Sequence, residues 1–223
     1  MTEYRVALAK LIADLENRGE IIVGWKVAIN FPEVQRKLGL KHSLVAPLTR
    51  AAMQGSSEAL QFAADRRPHV EAELAVLLGK DVGAELSASE LRGYVAGYAA
   101  CLEVVDYALP RGDLAGMLQH SFFHVGFVMG QVHPADEFRG LPRECPSLVS
   151  SDGARSAKRD DTVPQDPLEA VSLVVRQVVA AGGQLARGQV ILCGSFVEPL
   201  PLAPGASLRA QFGEALGALE VTR

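Results

Sequence analysis

The feature that most constrains the fold of this chain is a segment at residues 70–78, in which apolar residues alternate with two glutamates. Successive side chains of a β-strand point to opposite faces of the sheet. One face is apolar throughout and belongs in a core; it carries Val70, Ala72, Leu74, Val76 and Leu78. Glu71 and Glu73 share the other face. The segment therefore predicts a strand with two acids on one side.

These two acids carry a cost that the fold has to offset. Their Cβ atoms lie roughly 7 Å apart in a strand, and two unit charges at that distance repel by about 2 kcal/mol at an effective dielectric near 20. A third acid, Glu103, lies in another apolar segment at residues 101–106. One interpretation is a solvated face with salt bridges to Arg66, Arg67 or Lys80. The other is a cluster of three carboxylates that holds a hard divalent cation, since oxygen ligands suit Mg²⁺, Mn²⁺ or Ca²⁺.

A second strand, predicted at residues 21–30, is rich in β-branched residues and has one charged interior residue, Lys26. Gly24 and Ala28 share its face, and their small size is expected to leave room for a ligand beside the ammonium group. A lysine within an apolar strand is rarely buried without a partner. Lys26 is therefore expected to pair with one of the carboxylates, a position from which it could also transfer protons.

Further elements follow from periodicity and from capping residues. Helices are predicted at 3–18, at 32–41, from a capping box at 87–90 to about residue 100, at 112–125, and at 168–180 after Asp166 and Pro167. Strands are predicted at 189–196, 207–212 and 218–222. Asp152-Gly153 predicts a type I′ hairpin within residues 147–158.

Two histidines four residues apart, His120 and His124, would lie on one side of the helix predicted at 112–125. Zinc proteases use this spacing with a glutamate directly after the first histidine, but here Ser121 occupies that position. Lining of a pocket, or packing on Phe122 and Phe123, is therefore favoured over a zinc site.

Bulk properties exclude several classes of protein. The chain has 223 residues and a formal net charge of -4, which argues against non-specific binding to nucleic acid. No run reaches the roughly 18 apolar residues that a membrane span requires, and the first 20 residues carry charge throughout, so no signal peptide is expected. Cys101, Cys145 and Cys193 are odd in number and lack metal-type spacing, which favours a reducing cytoplasm.

Four segments, in this order, carry a resemblance to a known family: residues 24–28, 70–75, 102–106 and 192–196. They resemble the 2-keto-4-pentenoate hydratase and 4-oxalocrotonate decarboxylase branch of the fumarylacetoacetate hydrolase superfamily. The most specific part is Glu-x-Glu followed by an acid 30 residues after Glu73. The resemblance implies an α+β fold, a mixed, rolled β-sandwich with surrounding helices. It also implies a single catalytic domain over residues 1–223, with a shortened N-terminal helical region at about 1–20.

The resemblance further implies a set of site residues. Glu71, Glu73 and Glu103 would bind Mg²⁺ or Mn²⁺. Lys26 would lie in the active site as a proton-transfer or substrate-binding residue. Asp106, on the opposite strand face from Glu103, would be a catalytic residue in a supporting role and not a metal ligand.

Four residues are predicted to contact the substrate: Gly24, His120, Gly194 and Ser195. Glycine within a strand often marks close approach to a ligand, although turn geometry explains Gly194 nearly as well. The substrate itself would be a small 2-oxo or 2-hydroxydienoic acid.

The expected activity is that of a metal-dependent lyase, with hydration of a 2-hydroxypenta-2,4-dienoate-type substrate first, decarboxylation second and hydrolysis of an acylpyruvate third. His42, His120 and His124 are the candidate water-activating bases for hydrolysis. Residues 48–50, 119–120 and 166–167 differ from the family pattern. A non-catalytic partner subunit with the same fold therefore stays an alternative. A homo-oligomer, at least a dimer, is expected.

Overall fold

The computed structural model describes residues 2–55, 59–110, 112–144 and 146–223, so Cys145 lies outside the described residues. The helices are α1 (Thr2–Asn17), α2 (Pro32–Lys37), α3 (Ala88–Leu91), α4 (Leu114–Gln119) and α5 (Pro167–Ala180). The first six strands are β1 (Ile22–Ala28), β2 (Leu44–Thr49), β3 (Met53–Gln54), β4 (Pro68–Leu78), β5 (Val95–Asp106) and β6 (His124–Met129). The remaining strands are β7 (His133–Pro134), β8 (Ser147–Ser150), β9 (Val190–Ser195), β10 (Leu200–Pro201), β11 (Ser207–Gln211) and β12 (Ala218–Thr222).

Two sheets organise the described residues. The larger runs in the order β2-β1-β9-β4-β5-β6-β3, with β10 beside β4 and β7 beside β5, and the smaller runs β12-β11-β8. The large sheet is mixed, because β1 pairs with β9 and β3 with β6 in parallel while its other pairs are antiparallel. The predicted α+β class is confirmed.

The large sheet curls so that its two edges approach each other. Leu48 of β2 and Phe127 of β6, from opposite ends of the strand order, are buried in one small apolar cluster with Ala75 and Leu192. Ala75 lies on the same face of β4 as Glu71 and Glu73, because these residues are two apart along the strand. The concave face of the sheet therefore has an apolar region that continues into an acidic one.

Helix α5 covers the opposite face of the sheet and begins where its sequence predicts. The Asp166 side chain accepts hydrogen bonds from the N–H groups of Leu168 (2.7 Å) and Glu169 (3.3 Å), and Pro167 is the first helical residue. Its apolar side chains are buried in this chain's own core, so the apolar character of the helix needs no partner subunit to explain it. The homo-oligomer stays a prediction.

The second half of the helix predicted from residue 87 to about residue 100 belongs to a strand. The capping box is present, since the Ser87 side chain accepts from the Glu90 N–H and the Glu90 carboxylate accepts from the Ser87 N–H. The helix ends at Leu91, however, and β5 begins at Val95. A strand buried on both faces has a continuous apolar run, which periodicity alone does not distinguish from a buried helix. The extension of this helix to about residue 100 was wrong.

The hairpin at residues 147–158 is only partly as predicted. β8 covers Ser147–Ser150, and Val149 forms a bridge to Arg155. Gly153 has φ +91°, but Asp152 is not among the residues with positive φ. A type I′ turn needs positive φ at both central positions, so that turn type was wrong.

Among the described helices, none is long and apolar enough to cross a lipid bilayer.

Candidate active site

Three carboxylates meet on the concave face of the sheet. β4 and β5 are antiparallel neighbours, and Glu71 lies directly opposite Glu103 while Glu73 follows two residues along. One oxygen from each of the three side chains lies within 4.8 Å of the other two. Glu73 and Glu103 are fully buried and Glu71 is half-buried. The strand register thus brings together the three acids that the sequence singles out.

The pKa values of the three glutamates are shifted strongly from their ordinary values. Burial, with repulsion from Glu103, raises the pKa of Glu71 to about 7. The pKa of Glu73 is raised well above its usual value by the same two causes and by Glu71. Burial acts against ionisation of Glu103 as well, but the positive charge of Lys26 and a hydrogen bond from His124 lower its pKa to about 2. Below pH 7 the protein alone therefore favours one ionised carboxylate here, Glu103.

A divalent cation fits this donor set. Glu73 Oε1 and Glu103 Oε2 are buried and have no hydrogen-bond partner within the described structure. Buried polar atoms without a partner are uncommon and call for an explanation such as an ion. When all three glutamates are ionised and Lys26 is protonated, two negative charges are left over. Oxygen-only ligands of this charge suit Mg²⁺ or Mn²⁺.

Lys26 lies beside the cluster on β1. Its side chain is only 3% exposed, and Nζ donates a hydrogen bond to Glu103 Oε1. Burial lowers the pKa of Lys26, but the charges of Glu103, Glu71 and Glu73 outweigh burial and raise it above its ordinary value. The predicted pairing of Lys26 with a carboxylate is present, and the paired ammonium lines a cavity.

Gly24 was predicted to leave room for a ligand and to contact the substrate, but it instead allows a close approach of strand β9. A Cβ built on Gly24 would lie 2.2 Å from the carbonyl oxygen of Val190 on β9. The space beside Gly24 is therefore filled by the neighbouring strand and is not room for a ligand. Ala28, on the other side of Lys26, does line the cavity.

Gly194 and Ser195 support the cluster from β9. The N–H of Gly194 donates to Glu73 Oε2 at 2.8 Å. Gly194 has φ +92°, and a Cβ there would lie 2.7 Å from Asn30 Nδ2, which itself donates to the Ser195 carbonyl at 2.8 Å. The Ser195 hydroxyl donates to the carbonyl of Val197 at 2.7 Å. Neither residue lines the cavity beside Lys26, so both hold other parts of the site in place.

His124 belongs to the site through its contact with Glu103, but the sequence pattern placed it on a helix. The helix predicted at 112–125 is present only as α4 and its second half was wrong, because α4 ends at Gln119 and β6 begins at His124. Residues 121–123 all have positive φ. A bulge in β6 then pairs Val104 with Gly126 but Val105 with His124. Because of the extra residue, His124 faces the same side as Glu103, and its Nδ1 lies 2.8 Å from Glu103 Oε1.

A cavity of about 410 Å³ opens beside Lys26 and Glu71. The Tyr107 hydroxyl in its wall donates to Glu71 Oε1 at 3.3 Å. The rest of the wall is mainly apolar and includes Met117, Phe122 and Phe123. Charged groups at one part of a concave, largely apolar cavity are the usual features of a small-molecule site.

Asp106 and His120 lie elsewhere. The Asp106 carboxylate accepts from Arg66 Nη1 (3.1 Å) and from the N–H groups of Arg67 (3.0 Å) and Ala108 (2.9 Å). These bonds outweigh burial and lower its pKa. Asp106 therefore holds the turn after β5, and the structure gives no support to a catalytic role. His120 is exposed and lines a separate cavity, so it is not brought to the Lys26 cavity.

A rolled mixed sheet with a buried carboxylate triad at its concave face defines a class of small-molecule enzymes with a candidate metal centre. The fumarylacetoacetate (FAA) hydrolase C-terminal family model matches residues 22–222. The chain belongs to this family of enzymes, as the sequence resemblance predicted.

Known relatives are similar over most of this chain. A 2-keto-4-pentenoate hydratase of Paraburkholderia phymatum is 26% identical over 208 residues, which cover 92% of this chain and 79% of that protein. The solved structure of 4-oxalocrotonate decarboxylase from Pseudomonas putida G7, complexed with magnesium and adipate, has a TM-score of 0.78 at 18% identity and covers 96% of this chain and 82% of that one. Fumarylpyruvate hydrolase from Pseudomonas aeruginosa, in complex with Mn²⁺ and pyruvate, has a TM-score of 0.67 at 19% identity, with coverages of 89% and 87%.

Proposed function

We propose that this chain is a divalent-metal-dependent lyase that acts on a small 2-oxo or 2-hydroxydienoic acid, and that it hydrates a 2-hydroxypenta-2,4-dienoate-type substrate. The observation that carries the proposal is the carboxylate triad with two buried oxygens, Glu73 Oε1 and Glu103 Oε2, that have no partner in the described structure. The name of the hydratase relative, which spans 92% of this chain, supports the choice of reaction.

Glu71, Glu73 and Glu103 would hold Mg²⁺ or Mn²⁺. The titles of two fold neighbours name magnesium with adipate and Mn²⁺ with pyruvate, which supports these ions here. Bound at this cluster, the ion would supply a Lewis acid that polarises the oxygens of a 2-oxo acid.

The chain's own residues supply binding and proton transfer. The raised pKa of Lys26, due to the carboxylates that outweigh burial, keeps its ammonium protonated at the cavity wall. In that form Nζ can donate a proton to the carbon chain of a bound acid, and the neutral amine can then accept the proton that the adding water releases. Glu103 holds Nζ through Oε1. The rest of the cavity wall is mainly apolar and includes Phe122 and Phe123, so a bound acid would displace water from it.

Two other reactions fit the same site. Decarboxylation is supported by the likeness in fold to a 4-oxalocrotonate decarboxylase. Hydrolysis of a carbon–carbon bond would need a residue to activate water. Of the three histidines considered for this, only His124 contacts the triad, through Glu103. None of the three lines the cavity beside Lys26, since His120 and His124 line a second cavity and His42 a third.

The proposal extends to assembly and location. The resemblance implies a homo-oligomer, at least a dimer, which light scattering at micromolar concentration would test. Buried free thiols at Cys101 and Cys193 suit a reducing cytoplasm.

The deciding experiment combines metal binding with turnover. Calorimetric titration of the metal-stripped protein with Mg²⁺ and Mn²⁺ should show one site per chain, and that site should be lost in Glu103→Gln. The metal-loaded enzyme should then consume 2-hydroxypenta-2,4-dienoate, observed as loss of the diene absorbance. Metal binding without turnover of this acid, of 4-oxalocrotonate or of an acylpyruvate would favour a non-catalytic partner subunit. Absence of metal binding would refute the proposal.

A further inference from the structure

Backbone strain is concentrated around one cavity. Within the described residues, four residues other than glycine have positive φ: Ile29 (56°), Ser121 (44°), Phe122 (53°) and Phe123 (72°). Ile29, Phe122 and Phe123 line the cavity beside Lys26, and Ser121 directly precedes two of them. Such conformations cost about 1–3 kcal/mol each and persist where the surrounding fold imposes them, often at ligand sites. The strain marks this cavity independently of the carboxylates.

The strained segments present apolar surface to the cavity. Phe122 and Phe123 line the cavity together with Val34 of α2, Leu38 directly after α2, and Met117 of α4. Phe123 packs edge-on against Tyr107, with ring centroids 5.8 Å apart. The same tyrosine donates to Glu71. Aromatic packing therefore connects the apolar wall to the carboxylate triad.

Positive charge is scarce along the apolar wall. Of the described residues that line the cavity, Lys26 and Lys37 are the only cationic ones. Lys26 is already paired with Glu103, and Lys37 is an exposed residue in the last turn of α2. A second carboxylate on a ligand, held against the apolar wall that the described residues form, would therefore lose water without gaining a buried cation from those residues.

The volume of the cavity favours a ligand that is larger than a five-carbon acid. At about 410 Å³, its volume lies in the range of about 300–1,000 Å³ that is typical of sites for drug-sized ligands. A five-carbon acid is much smaller than such a ligand and would leave apolar wall uncovered.

We infer that the natural ligand is an acid whose end remote from the triad carries an alkyl or aryl substituent, and not a second carboxylate. This inference rests on the proposed function, because it assumes that the 2-oxo acid end of the ligand binds at the triad. Phe123 is then a specificity-determining residue.

Binding of saturated 2-oxo acids to the Mg²⁺-loaded protein tests this without relying on turnover. The series is pyruvate, 2-oxobutanoate, 2-oxopentanoate and 2-oxohexanoate, measured by calorimetry. Each added CH₂ that is fully buried should lower Kd by about fourfold. The dicarboxylate 2-oxoadipate, which has the same carbon count as 2-oxohexanoate, should bind at least tenfold more weakly than it.

The variant Phe123→Ala tests whether Phe123 is responsible for the tighter binding of the longer acids. This variant should weaken 2-oxohexanoate by at least tenfold and leave pyruvate within twofold of wild type. Phe138→Ala is the matched control, because Phe138 stacks on Tyr98 at 4.2 Å in a separate cavity; it should leave the whole series unchanged.

The possible failures are distinguishable. If pyruvate binds but Kd does not fall with chain length, or if 2-oxoadipate binds as tightly as 2-oxohexanoate, the inference is wrong and the proposed function stands. If none of these acids binds to protein that has been shown to hold Mg²⁺, the proposed function is wrong and the inference with it.

Discussion

His124 Nδ1 lies 2.8 Å from Glu103 Oε1, the same oxygen that accepts from Lys26 Nζ. Glu103 is ionised, since its pKa is lowered to about 2 by these neighbours despite burial, so it can only accept, and Nδ1 must carry the proton. Burial lowers the pKa of His124 more than Glu103 raises it, which favours a neutral imidazole. Two donors on Oε1 leave Oε2 available to a metal ion.

Loss of the His124 contact should therefore weaken metal binding. We expect His124→Ala to raise the Kd for Mg²⁺ by about 10–100-fold, the usual cost of losing a hydrogen bond to a metal ligand. His124→Asn places an amide donor where Nδ1 was and should keep Kd within about threefold of wild type. His120→Ala, at an exposed position, is the control. Wild-type affinity in His124→Ala would show that Lys26 alone orients Glu103.

Glu73→Gln should remove a metal ligand while the fold persists. The glutamine carbonyl can still accept the hydrogen bond that Gly194 donates to Glu73 Oε2. One negative charge is lost, and we expect the Kd for Mg²⁺ to rise by about 100-fold or more because affinity depends on the number of charged ligands. Without metal, the melting temperature should not fall, because burial and the neighbouring carboxylates raise the pKa of Glu73 and keep it neutral, and a neutral amide of similar shape replaces it. Glu220→Gln, which alters an exposed pair with Arg209, should change neither quantity.

The pKa of Glu71 makes the metal-free protein sensitive to pH. Its folded-state pKa of about 7, raised by burial and by Glu103, lies above the unfolded value near 4.5. A group of this kind stabilises the fold below the unfolded pKa, and that contribution is lost as pH rises through the folded pKa. From pH 4.5 to pH 8 the free energy of unfolding should fall by about 3 kcal/mol from this source.

Melting curves in EDTA at pH 5 and pH 8 test this expectation. The melting temperature should fall between pH 5 and pH 8, and this fall should be smaller in Glu71→Gln than in the wild type. In the wild type, saturating Mg²⁺ at pH 8 should restore the melting temperature, since metal binding offsets the ionised carboxylates. An identical pH dependence in wild type and Glu71→Gln would contradict the assigned pKa.

Strand periodicity was sufficient to find the carboxylates, because a period of two fixes which residues share a face. It placed Glu71 and Glu73 on one face of β4, and the antiparallel register then set Glu103 opposite Glu71. The strand predicted around Lys26 was correct for the same reason. Such local patterns hold because each depends on a few neighbouring residues.

Other parts of the site depend on contacts that are distant in sequence. The crowding at Gly24 comes from Val190, on a strand more than 160 positions away. The orientation of His124 depends on a bulge and on three left-handed residues without glycine, for which the sequence carries no turn signal. Asp106 lies on the opposite face from Glu103, as the sequence predicts, but its partners Arg66 and Arg67 are about 40 positions away and local periodicity does not show them.

The role of Lys26 can be separated from that of a buried countercharge. If Lys26 only balances Glu103, Lys26→Met should leave an uncompensated carboxylate and cost about 3–5 kcal/mol of stability, less whatever His124 and a bound ion offset. If Lys26 transfers protons, the same change should abolish turnover of a 2-hydroxydienoate while metal binding persists. Turnover, melting temperature and Mg²⁺ affinity should be measured together at saturating Mg²⁺, with the exposed Lys80→Met as control. We expect at least a thousandfold loss of turnover with Mg²⁺ still bound; full activity in Lys26→Met would remove Lys26 from the mechanism.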